Sequence, residues 1–137
     1  MRSVDSVADA LGRTARYGRC ARRERQLISQ ASTRIDVPEG TVLAREGAPG
    51  REFVIVLTGG ASVIGGGREI SALLAGDHFG DIALLDHGVS PVTVVAETPM
   101  SLAVVNPAEF GGLLDRCPSV ARAVVTSLAS RMRTVAA

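Results

Sequence analysis

The apolar positions change their period twice along the chain. In residues 1–32, Val4, Val7 and Leu11, then Leu27, Ile28 and Ala31, recur at helical spacing, and Gly12 and Gly18 interrupt the run. From 33 to 106 the pattern becomes short apolar runs cut by turn residues. Val37 runs into Pro38-Glu39-Gly40, and Val42-Leu43-Ala44 into Gly47-Ala48-Pro49-Gly50. Phe53-Val54-Ile55-Val56-Leu57 ends at Gly59-Gly60, and Ala61-Ser62-Val63-Ile64 at Gly65-Gly66-Gly67. Turn signals roughly every ten residues, with β-branched runs between them, predict a sandwich or small barrel. Pro99 and Pro107 bracket a last strand, Met100 to Val105.

Residues 107–137 return to helix. Asn106-Pro107 offers an N-cap followed by proline at the first helical position, and Cys117-Pro118-Ser119 opens a second helix in a similar way. On that helix Val120, Val124, Leu128 and Met132 recur every fourth residue and Val135 continues the stripe. The stripe is expected to pack on the chain's own sheet; the other surfaces it suits are a ligand or a second copy of itself. The three zones (1–32, 33–106 and 107–137) are read as one domain over 1–137, long enough for a single core. With 46% hydrophobic but 3% aromatic residues, that core must be aliphatic.

Charge narrows the function. The net charge is +1, every basic residue is arginine, and nothing in that total asks for nucleic acid or a membrane surface. No helix-turn-helix follows the last helix, which argues against DNA. Asp5 and Asp9 break any secretory-type apolar run, and no stretch approaches the roughly 20 apolar residues of a membrane span. Cys20 and Cys117 lack metal-type spacing, so a cytoplasmic protein with reduced thiols is expected. The charges are unevenly spread. Residues 1–68 carry eleven arginines, six of them clustered from Arg13 to Arg25, whereas 69–115 carry seven carboxylates and no cation.

The chemistry concentrates in Gly76-Asp77-His78-Phe79-Gly80-Asp81-Ile82-Ala83-Leu84-Leu85 and the following Asp86-His87-Gly88-Val89-Ser90-Pro91-Val92-Thr93-Val94. A strand ending at Phe79, a glycine that permits a sharp turn, and one helical turn over Asp81–Leu85 make a cradle for an anion. The surroundings give it a context. From about Ile35 to Arg133 the chain resembles the cyclic nucleotide-binding domain family, on Pro38-Glu39-Gly40-Thr41-Val42-Leu43, Arg45-Glu46-Gly47-Ala48-Pro49-Gly50, Phe53–Gly60, and Phe79–Leu85 followed by Thr93-Val94.

That resemblance implies a mainly β, α+β fold: an eight-stranded antiparallel, jelly-roll-like β-roll flanked by N-terminal helices and a C-terminal helix pair. It implies a non-enzymatic regulatory domain with cyclic AMP as the first ligand, cyclic GMP second, and no cofactor, metal or catalytic residue. Phe79, Gly80 and the N–H groups of Ile82 and Ala83 would face the cyclic phosphate. Asp81 takes the place of a glutamate that accepts the ribose 2′-hydroxyl. Ser90, Pro91 and Val92 occupy the loop that completes the site, and the Pro118–Val135 helix acts as a lid or homodimer seam.

One residue departs from the family pattern. Ser90 stands where an arginine normally pairs with the phosphate, and no Arg or Lys occurs between Arg68 and Arg116. A hydrogen bond to a charged group contributes about 1.5–3 kcal/mol, so this loss weakens binding roughly tenfold to several-hundredfold. Asp81 and Asp86 are expected to face the anion without a local cation, with Ser90 still donating one neutral bond. Arg45, Arg51 or Arg68 from another loop, or a protonated His87, are the candidate replacements. The alternative is a degenerate β-roll that acts as a protein-interaction or dimerisation module through its final helix or its arginine cluster. Two further readings find no support in the sequence: His78, Asp81 and His87 do not space as ligands on one strand face, and no Gly-x-Ser-x-Gly nucleophile elbow is present.

Overall fold

The central strand explains the architecture. Phe53 to Leu57 are all buried because successive side chains enter different cores. Phe53, Ile55 and Leu57 pack with Leu11, Tyr17, Ile28, Phe110, Leu113 and Val120, all contributed by helices. Val54 and Val56 point the other way, against Phe79, Val94, Ala96, Met100 and Leu102. A strand buried on both faces loses its alternation, which is why this run reads as continuously apolar.

The computed structural model describes residues 6–136, with side chains described as far as 133. Within it, β1 (Thr33–Val37), β8 (Met100–Val105), β3 (Phe53–Thr58) and β6 (His78–Phe79) form one four-stranded sheet in that order. The other, also four-stranded, runs β2 (Val42–Ala44), β7 (Thr93–Ala96), β4 (Ala61–Gly65), β5 (Arg68–Leu73). Every pairing is antiparallel, with Ile55 opposite Ala103 and Ile35 opposite Leu102 in the first sheet. This is the expected eight-stranded β-roll with helices at both ends.

The helices are α1 (Val7–Gly12), α2 (Arg22–Ala31), α3 (Asp81–Leu85), α4 (Pro107–Arg116) and α5 (Pro118–Ala136), with a 3₁₀ turn at Tyr17–Arg19. Their starts follow local chemistry. Asn106 caps α4 by accepting the Glu109 N–H at 2.9 Å, with Pro107 in the first turn. The start of α5 is satisfied from far away: the Ser119 N–H donates to Glu24 Oε1 at 2.7 Å, fastening the helix to α2. That hydrogen bond outweighs partial burial and holds the Glu24 carboxyl below its ordinary value.

The α5 stripe divides. Val120 and Val124 are buried and Leu128 packs at the edge of the core, but Met132 is 72% exposed. The expectation of one packed face to the end of the helix therefore fails at Met132, where α5 extends past the apolar core. Val4 lies outside the described residues and Val135 outside the described side chains. Cys20 and Cys117 are free, and burial pushes the Cys117 thiol up. Among the described residues no helix is long and apolar enough to cross a membrane.

Candidate functional site

Two glycines bring the walls of a cleft together. Gly80, between β6 and α3, has φ +94°, and a Cβ there would stand 2.0 Å from the Glu52 carbonyl oxygen. Gly50, on the turn facing it, would place a Cβ 2.1 Å from the Cβ of Ala83. Only residues without a side chain let the 47–52 turn close on the first turn of α3. Sequence demanded glycine for the turn at Gly80; the close approach at Gly50 is a tertiary fact.

The cleft has a volume of about 260 Å³, just below the ~300–1,000 Å³ usual for small-molecule sites. Phe79, Gly80, Asp81, Ile82, Ala83, Ser90, Pro91 and Val92 all line it, so the structure gathers these eight candidate residues around one cleft. Val42, Leu43, Val54 and Val94 supply apolar floor. The Ile82 and Ala83 N–H groups belong to the first turn of α3, where no carbonyl of the same helix can accept from them.

Three arginines line the cleft: Arg45 and Arg51 from the turn beyond β2, and Arg131 from α5. Arg131 corrects the expectation that Asp81 lacks a cation. Its Nη1 lies 3.4 Å from Asp81 Oδ2. Asp81 is 1% exposed, and His78 Nε2 stands 3.3 Å from the same oxygen. Burial pushes the Asp81 carboxyl up. The His78 hydrogen bond and the charges of His78 and Arg131 outweigh it and hold the group below its ordinary value.

The loop beyond α3 differs from expectation in a second respect. Ser90 Oγ donates to the Val92 carbonyl at 2.6 Å, so its proton is already committed. Asp86 turns into its own loop, where Oδ1 accepts the Gly88 N–H at 3.0 Å. His87 is exposed at φ 56° and Arg68 lies on β5; neither borders the cleft. His78 and Asp81 form a pair; among the described residues no group of three or more His, Cys, Asp or Glu could hold a metal ion.

Arg131 is not among the cations expected from the sequence, which were the loop arginines Arg45, Arg51 and Arg68 and His87. A signal existed: Arg131 follows Leu128 by three residues and Val124 by seven, which puts it on the inward side of α5.

The model of the cyclic nucleotide-binding domain matches residues 34–117. The chain belongs to this family. It is 31% identical over 100 residues to the cAMP-dependent protein kinase regulatory subunit of Schizosaccharomyces pombe, covering 72% of this chain and 24% of that protein. The chain thus spans about a quarter of that relative's length. Its backbone matches Thermus thermophilus catabolite activator protein with a TM-score of 0.76 at 26% identity, over 92% of this chain and 59% of the other. The regulatory subunit of a cAMP-independent protein kinase A from Trypanosoma brucei matches with a TM-score of 0.74 at 23% identity, covering 86% and 43% of the two chains. A relative named for its dependence on cAMP and a structure named as independent of it thus both match this chain.

Proposed function

We propose that this cyclic nucleotide-binding domain is a non-enzymatic sensor of a small anionic nucleotide, with cyclic AMP the first candidate and cyclic GMP the second. The observation that carries this reading is the charge of the cleft. Three arginines (Arg45, Arg51, Arg131) meet two carboxylates (Glu52, Asp81) there, although the loop arginine is absent. The sugar and base would lie on Val42, Leu43, Val54 and Val94. The phosphate would lie toward Gly80, Ile82 and Ala83, with Asp81 accepting a ribose hydroxyl. The loop contact is weak, because Ser90 must give up its bond to Val92 before it can donate outward.

That commitment of Ser90, and of Arg131 to Asp81, favours a second reading: a roll whose polar groups satisfy one another and whose work is protein interaction. Val125 and Met132, 64% and 72% exposed on α5, would then be the contact surface. Thermal melts with each nucleotide separate the two. A ligand that binds only the folded state raises the midpoint, by about 2.7 kcal/mol of stabilisation at a hundredfold excess over Kd. A rise with millimolar cyclic AMP supports the sensor; a midpoint unmoved by either nucleotide supports the interaction module.

A further inference from the structure

We propose that the cation for the ligand's phosphate is supplied by α5, through Arg131, and that Arg131 reaches the phosphate by leaving Asp81. The inference rests on the nucleotide reading above and names the residue that makes it work.

The first support is what the loop cannot do. Ser90 carries no charge, its hydroxyl proton is on the Val92 carbonyl, and no cation exists in sequence from 69 to 115. An anion in the cleft must therefore find its countercharge on another element. The three arginines at the cleft are not equivalent. All three are exposed, but Arg45 and Arg51 lie on the turn beyond β2. Arg131 alone is seated on a residue of the ligand-facing segment itself, Asp81, directly after Gly80. Its Nη1 already stands 3.4 Å from the carboxylate beside which the phosphate would lie.

The second support is how loosely Arg131 is held. Its contact with Asp81 is 3.4 Å, longer than the ~2.7–2.9 Å of a strong charge-assisted bond, and its side chain is 43% exposed. A guanidinium has five N–H donors, and a single nitrogen is engaged here. Asp81 does not depend on it alone: His78 Nε2 stands on the same carboxylate oxygen, and His78 and Asp81 are both buried. When Arg131 leaves, Asp81 keeps a partner and stays available to a hydroxyl. A phosphodiester carries one negative charge, so the exchange is a carboxylate for a phosphate at constant charge.

The third support is the build of α5. Its first half is fixed by Glu24 at Ser119 and by the burial of Val120 and Val124. Its second half touches the ligand-facing segment through Arg131, and Met132 beside it is in solvent. A change of partner at Arg131 therefore moves the part of the helix that is least held.

The test titrates wild type, Arg131→Gln and Arg133→Gln with cyclic AMP and with adenosine, which lacks the phosphate, and follows the Arg131 Nε–Hε resonance in wild type. Arg133 is exposed on the same helix and does not border the cleft. The inference expects Arg131→Gln to weaken cyclic AMP roughly ten- to hundredfold while adenosine changes less than about twofold. Arg133→Gln leaves both unchanged. In wild type the Arg131 signal shifts with cyclic AMP and stays put with adenosine, a readout that needs no variant. Cyclic AMP binding that is equal in wild type and Arg131→Gln, or an Arg131 signal that ignores cyclic AMP, overturns the inference and leaves the nucleotide reading standing. If wild type binds neither cyclic AMP nor cyclic GMP, the nucleotide reading falls. Inorganic phosphate then decides for Arg131: a saturable shift of its signal, equal in wild type and Arg133→Gln, keeps the anion site, and no shift overturns that too.

Discussion

Gly50 lies so close to Ala83 that a single added Cβ would come within 2.1 Å of the Ala83 methyl carbon. The contact joins the 47–52 turn to the first turn of α3, and the cleft exists because both are held at that separation. Gly50→Ala must push the turn off α3. We expect a loss of about 1–3 kcal/mol, the usual cost of overpacking, read as a lower urea midpoint. An unchanged midpoint would show that the turn is free to move.

Glu24 accepts the Ser119 N–H across 95 positions of sequence. Glu24→Gln keeps the shape but removes the charge at the start of α5, and should cost about 1 kcal/mol. Faster amide exchange confined to the first turns of α5, with the β-roll amides unaffected, is the expected pattern. Uniform acceleration would mean that Glu24 supports the whole fold and does not act specifically on the helix.

Both Asp81 and Glu24 are held below their ordinary values. A depressed acid stabilises the fold above its unfolded value, and that contribution is lost as the pH falls through the folded one. The contribution of these two acids should therefore be fully present above about pH 5 and decline below about 4, as unfolded carboxylates take up protons. A double variant, Asp81→Asn with Glu24→Gln, should lose part of that acid slope. A slope identical to wild type would assign it to other carboxylates.

Ser90 borders the cleft, so a cation placed there would face an anion bound in it. Ser90→Arg should tighten cyclic AMP roughly tenfold or more, since a hydrogen bond to a charged group contributes about 1.5–3 kcal/mol. Equal affinities in the variant and wild type would place the phosphate elsewhere.

The roll was legible because its signals are local. The apolar run Phe53–Leu57 ends at glycines, Pro99 and Pro107 bound β8, and Asn106-Pro107 opens α4, each within a few residues. The cleft segment was legible for the same reason: Phe79-Gly80-Asp81 carries strand end, turn and helix start together. What escaped reading lies in long-range contacts. Arg131 meets Asp81 across 50 positions and Glu24 meets Ser119 across 95, and no local periodicity encodes either pairing. The inward turn of the Ser90 hydroxyl is local, but it depends on how the loop closes. Met132 continues the stripe by spacing, yet the roll beneath it has ended, so burial stops where the partner surface does.

Calorimetric titration of the wild-type domain with cyclic AMP tests the central claim most directly. The charge of the cleft predicts saturable one-to-one binding, weaker than about 1 µM because the Arg131–Asp81 pair must open, and tighter than about 1 mM. No heat up to millimolar cyclic AMP, from protein that still melts cooperatively, would contradict it.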